Sequence, residues 1–200
     1  MTSYEELWDL IYKAKRLYIE ENNHQKAEEL IKEALKINIK DVPAFSEIGV
    51  FYLCWNKLDE SLNFFSKAHK MDKNYSIPIL GLGVIYALKN KYNKSKKHFL
   101  LAIKSIDKQI NNLKNTNLQL PQNAYCIAMC YEQYGQAFRN LAILIPKEKE
   151  KYHELSLNNF KNGAEIVKNY PPDIIGGLYS QIMRQIQDLE KDIKEGNIHI

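Results

Sequence analysis

The chain has 200 residues, 45% hydrophobic and 26% charged, enough apolar content to bury a continuous core, which excludes a disordered polymer. Eight Gly and six Pro are too few turn formers for a many-stranded β sandwich or barrel, so an all-α chain is expected. The formal charge of +4 is diluted by acidic residues: Glu28, Glu29, Lys32, Glu33 and Lys36 alternate at helical spacing, the pattern of a solvated face rather than of a nucleic-acid-binding stripe.

Three cysteines, Cys54, Cys126 and Cys130, form an odd set in a chain without an apolar leader and small-residue cleavage site. That pattern predicts a reducing, cytoplasmic setting. No window reaches about 18 apolar residues, so no membrane span is predicted, and neither end carries a lipidation pattern.

In chain order, Ser3 with Glu6 makes a capping-box pattern, and a first helix is expected from about Tyr4 to Glu21. A second helix is expected over about 24–38, then pairs over 43–55 and 58–71, and over 77–89 and 92–114, with Pro43 tolerable in a first turn. Within these, Lys89, Lys91, Lys94, Lys96 and Lys97 form the most basic stretch, read as a solvated face in preference to a phosphate-binding one. The Asn-rich run at 111–117 predicts a loop. A longer hairpin follows over about 122–145 and 147–169, with Pro146 at its turn. Pro171 and Pro172 end it, and Asp173 is placed to cap a last helix over about 174–194. Its apolar residues, Ile174, Leu178, Ile182, Ile186, Leu189 and Ile193, recur at steps of three and four as one stripe.

Sliding the sequence along itself by 34 residues superimposes Gly49 on Gly83, Tyr52 on Tyr86, Ser61 on Ser95, Phe65 on Phe99 and Ala68 on Ala102. One step earlier, Tyr18, Ala27, Ile31 and Ala34 share the register, with Lys15 at the glycine position. A fixed period of this length marks a stacked helical array. A mid-helix glycine forgoes about 1 kcal/mol of helix propensity relative to alanine, which implies a close neighbour at Gly49 and Gly83. Small residues separated by one large residue, as in Ala27, Ile31 and Ala34 or Ser61, Phe65 and Ala68, let paired helices interlock.

The runs AFSEIGVFY then LDESLNFFSKAHKMD, and ILGLGVIY then NKSKKHFLLAIKSID, resemble the tetratricopeptide repeat, whose first helix carries Leu-Gly and Tyr and whose second carries Ala and Phe. Units at about 8–41, 42–75 and 76–115 match this pattern, and a fourth at 121–170 places Ala124, Ile127, Ala128 and Tyr131 on its first helix and Ser156, Phe160 and Gly163 on its second. The resemblance implies an all-α, right-handed superhelical solenoid of antiparallel helical hairpins over residues 1–170; the helix at 173–195 is expected to cap the array, the alternatives being a dimer seam or a segment that lies in the groove until displaced.

In proteins of this family the first helices line a concave groove that holds another polypeptide. The resemblance therefore implies a partner surface of Tyr12, Lys13, Arg16, Glu20, Glu47, Val50, Leu53, Cys54, Leu80, Val84, Leu88, Tyr125 and Met129. The family's clamp for a chaperone-tail carboxylate falls on Tyr12, Arg16, Glu47, Ile77 and Gly81, of which only Arg16 can donate to a carboxylate as a cation. An apolar peptide or amphipathic helix is the expected ligand instead.

No catalytic site, metal site or cofactor is expected. Gly81 and Gly83 lack the third glycine and the preceding strand of a dinucleotide fingerprint. Cys126 and Cys130 stand without a histidine at zinc spacing, and are read as buried thiols. His24, His69, His98, His153 and His199 are scattered over turns, exposed helix positions and the tail. The expected function is thus a non-enzymatic protein-interaction adaptor with no small-molecule substrate. Self-assembly into a homo-oligomer through the last helix is the alternative, and RNA binding through the lysines at 89–97 ranks third.

Overall fold

The computed structural model describes residues 2–38, 40–113 and 120–196, which form helices and turns and, among those residues, no strand. The helices are α1 (Ser3–Ile19), α2 (His24–Ala34), α3 (Val42–Cys54), α4 (Leu58–Met71), α5 (Ser76–Leu88), α6 (Tyr92–Leu113), α7 (Pro121–Leu144), α8 (Lys149–Val167), α9 (Pro172–Ile175) and α10 (Leu178–Glu195). The chain divides within α5 into two compact units, Met1–Ile85 and Tyr86–Ile200.

Several boundaries move from their sequence expectation for local reasons. Thr2 and Ser3 both stand three residues before a glutamate, and it is Thr2, with an extended backbone, that caps α1. Its hydroxyl accepts from the Glu5 amide at 3.2 Å while its own amide donates to the Glu5 carboxylate at 2.8 Å. The second helix stops at Ala34 because Lys36 and Ile37 donate back three residues, to Glu33 and Ala34, closing a tight turn instead of extending α2. Residues 111–113 complete α6, and the rest of the expected loop at 111–117 lies outside the described residues, as does His199. Asp173 does not cap the long final helix. Gly176 and Gly177 both adopt left-handed conformations (φ 56° and 76°), which separates the single turn α9 from α10.

In the first unit, α1 packs on α2, α3 on α4, and α1 touches α3. The interlocking residues are where the spacing placed them: Ala27, Ile31, Ala34, Ser61, Phe65 and Ala68 are all buried. Phe65 explains the glycines. A Cβ on Gly49 would lie 2.8 Å from its ring, and one on Gly81 would lie 2.3 Å from the opposite ring edge. The ring is thus held between α3 and α5 at distances that no Cβ tolerates. The Ser61 hydroxyl donates to the Gly49 carbonyl at 2.7 Å, tying α4 to α3 beside the same ring.

The turns inside the hairpins share a device that composition alone hides. Asn22, Asn56 and Asn90 are the non-glycine residues with positive φ among those described (50°, 57° and 56°). They recur at the period of the array. Beyond two of them the chain folds back identically, the Lys57 amide donating to the Tyr52 carbonyl at 2.9 Å and Lys91 to Tyr86 at 2.7 Å. Asparagine suits this role because it enters the left-handed region at lower cost than other side chains bearing a Cβ.

In the second unit, α7 packs extensively on α8, α6 on α7, and α10 on α8. Leu178, Ile182, Ile186 and Leu189 of the predicted stripe are buried in a cluster with Phe160, Ala164 and Val167 of α8 and Ala128 of α7. At the ends of the stripe Ile174 and Ile193 are exposed, and Ile175 takes the buried place expected of Ile174. Terminal helices of stacked arrays cover the last hydrophobic face in this manner.

Candidate partner-binding surface

In the first unit, α1 presents Tyr12, 60% exposed, with Lys13 and Arg16 also exposed. Lys13 is held by Asp9 at 2.7 Å. The Tyr12 ring lies 5.4 Å from Trp8, which lies 6.5 Å from Tyr4, so three aromatics one turn apart form a strip along α1. Of this strip only Tyr12 belongs to the surface expected from the sequence. The signal available was the spacing of four among residues 4, 8 and 12, which brings side chains onto one face of a helix.

On α3, Glu47 is not free: Lys15 reaches it at 2.6 Å, so the residue that replaces the expected glycine of the first unit ties α1 to α3. The Tyr18 hydroxyl donates to the Cys54 carbonyl at 2.8 Å and makes a second tie between the same helices. Beyond these, Val50 and Leu53 are half-buried and Cys54 is exposed. On α5, Leu80 is buried, only 6% exposed, whereas Val84 is half-buried and Ile77 likewise. Of the positions that a carboxylate clamp would use, Glu47 is acidic and paired, and Gly81 is covered by Phe65.

In the second unit, Leu88 of α5 is 41% exposed and Tyr125 of α7 is 38% exposed. Met129 is half-buried and packed against the cluster that α10 completes. The first helix of this hairpin also contains a glycine that sequence reasoning missed. A Cβ on Gly135 would lie 2.4 Å from the Phe160 ring, and the Ser156 hydroxyl donates to the Gly135 carbonyl at 2.7 Å. Gly135, Ser156 and Phe160 therefore repeat the arrangement of Gly49, Ser61 and Phe65. The lengthened helices set the serine 21 positions after the glycine in place of 12, so a fixed period passes over it.

Glu132, one turn before Gly135, is 2% exposed. Its carboxylate receives amide N–H groups from Gln136 of its own helix and from Gln181 (3.3 Å) and Gln185 (2.6 Å) of α10. Burial raises its pKa, and the three amide donors oppose that shift. Arg139 continues the attachment with an ion pair to Asp192 at 2.6 Å. His153, expected at an exposed position, is instead buried in α8, with Nε2 lacking a hydrogen-bond partner. Burial lowers its pKa. Cys130 is buried and Cys126 half-buried; burial, with Cys126 adding to it, pushes the Cys130 thiol up to about 12.

Among the described residues no three His, Cys, Asp or Glu side chains gather where they could hold a metal ion, and no helix is long and apolar enough to cross a membrane.

No model of a known protein family matches the chain, and no curated protein matches it by sequence. Among solved structures it is similar to pilF of Pseudomonas aeruginosa, with a TM-score of 0.50 and 15% identity over 94% of this chain and 76% of that one. It is also similar to BtubC (BKLC) of P. vanneervenii, at a TM-score of 0.49 and 12% identity over 97% of this chain and 93% of that one. At such identities the likeness to pilF concerns the fold alone. With the helices above, it defines an all-α helical repeat of the tetratricopeptide-like type.

Proposed function

We propose that this chain is a protein-interaction module that holds a peptide segment or an amphipathic helix against the solvent-open side chains of its first helices, α1, α3 and the part of α5 in the first unit. The observation that carries the reading is the unspent aromatic and apolar surface on those helices. In the first unit Tyr12 is exposed and Val50, Leu53 and Val84 are half-open; in the second, Leu88 and Tyr125 are exposed. Surface of this kind stabilises a partner by about 25 cal/mol for each Å² of apolar area removed from water.

The ligand is not a free C-terminal carboxylate. Of the clamp positions only Arg16 offers a cation, and Glu47 opposes an incoming anion. A partner lying on α1 instead meets the Tyr4, Trp8 and Tyr12 rings, which favour an apolar or aromatic side chain.

The test is affinity capture with the wild type and with the Leu53→Glu, Val84→Glu double variant, each checked for helicity and thermal unfolding. The proposal expects the double variant to stay folded, because both positions are half-open, and to lose its partners. Unchanged capture by a folded double variant rejects the assignment of this surface.

A further inference from the structure

We infer a second binding site in the first unit, away from the surface above: an apolar pocket with a lysine rim that takes an acidic amphipathic peptide. The pocket measures about 580 Å³ and opens where the last turns of α2 and α4 meet the start of α3, a volume within the range of roughly 300 to 1,000 Å³ typical of ligand sites. Ile48 and Phe64 form its floor, and both are buried. Leu35 and Met71 stand at its mouth, 37% and 42% exposed, so large apolar side chains face solvent on both sides of a ready-made cleft.

Lys40, Lys67 and Lys70 complete the lining, and no acidic residue joins them. Among the described residues none of the three makes an ion pair, although elsewhere in this unit Lys13, Lys15, Lys32 and Lys57 all do. Lys67 instead places its ammonium 5.1 Å from the Phe64 ring centroid, beside the pocket floor. Lys70 lies in the last turn of α4, where it complements the helix dipole. Lys40 has no such role. It precedes the N-terminus of α3, where the dipole disfavours a cation, and an incoming carboxylate would offset that charge.

Three cations on two separate segments around one apolar floor match a polypeptide that carries several carboxylates beside one or two large apolar side chains. A ligand with a single anionic head would engage one lysine and leave the others unanswered. The site is thus complementary to a strand or helix rich in Glu or Asp with Leu or Phe anchors.

The experiment is fluorescence anisotropy on the full chain with three labelled probes: a short peptide alternating Leu and Phe with Glu, its counterpart with Lys in place of Glu, and a dodecanoate that carries the fluorophore at its methyl end. The acidic peptide is expected to bind saturably, and more weakly as salt rises. Binding should fall by about tenfold or more in Lys67→Glu, Lys70→Glu, where both substituted side chains are exposed and the fold is preserved. Met71→Glu should weaken it separately, and Leu53→Glu, Val84→Glu should leave it unchanged, which separates this site from the surface proposed above. Equal binding of the two peptides, or indifference to the lysine reversals, overturns the inference. So does binding of dodecanoate without the acidic peptide, which would make the pocket an acyl-chain site, or a change of oligomeric state on lysine reversal, which would assign it to a second copy.

Discussion

Phe65 occupies a slot that two glycines keep open, Gly49 on α3 and Gly81 on α5. Gly49 was legible because a mid-helix glycine is a cost that only a close neighbour offsets, and its repetition at Gly83 drew attention to it. Gly81 entered the sequence expectation only as a clamp position and as part of an incomplete dinucleotide fingerprint, and only the geometry assigns it to the ring. Gly81→Ala is expected to destabilise the chain by about 1 to 2 kcal/mol, because overpacking of about 1 to 3 kcal/mol outweighs the gain in helix propensity. Urea unfolding measures this, and a double-mutant cycle with Phe65→Leu should recover most of the loss. If Gly81→Ala alone stabilises the protein, the close approach of α5 to Phe65 is wrong.

At the scale of turns and helices, the periodic asparagines are the clearest feature that the sequence contained and the reading did not use. Asn22, Asn56 and Asn90 looked like ordinary polar turn residues, and their left-handed backbone is what makes the register meaningful. Asn56→Gly is expected to stabilise by about 0.5 to 1 kcal/mol, and Asn56→Ala to destabilise by about 1 kcal/mol. The order of the two variants in thermal unfolding checks the conformation; alanine as the more stable variant would contradict it.

The attachment of α10 is a second element-level case. The apolar stripe predicted its burial, but nothing in the sequence announced that a buried glutamate on α7 would accept amides from Gln181 and Gln185, since this requires knowing which faces meet. Because burial raises the Glu132 pKa above 4.5, the folded state holds the proton more tightly than the unfolded chain. Its contribution is fully present below the unfolded pKa and is lost as pH rises through the raised value. Glu132→Gln removes this ionisation cost. Its stability relative to wild type should be most favourable near about pH 7 and decline toward about pH 4.5. Taking that difference also cancels the opposite trend of His153, whose depressed pKa makes acid unfavourable to the fold in both proteins. A pH-independent difference in melting temperature would show that Glu132 does not titrate with folding.

For the molecule as a whole, fold and site differ in how far the sequence reached. The helical array was legible because each hairpin repeats the same packing requirement, and repetition multiplies a weak signal. The fourth hairpin departs from the period through its longer helices, and there the glycine at 135 was lost. The candidate surface could be written from the sequence only as a list of positions, because exposure depends on neighbours. Leu80 and Met129 turned out to be packed and Glu47 to be paired, while the strip through Tyr4 and Trp8 emerged from ring distances.

The most direct measurement is site-specific photo-crosslinking in cells, with a photoreactive phenylalanine analogue placed at Tyr12, at Val84 and, on the exposed face of the second helix α2, at Glu29. A partner held on the first helices gives the same crosslinked protein from Tyr12 and Val84 and none from Glu29. Crosslinks that arise from Glu29 alone, or equally from all three positions, would contradict binding at that surface.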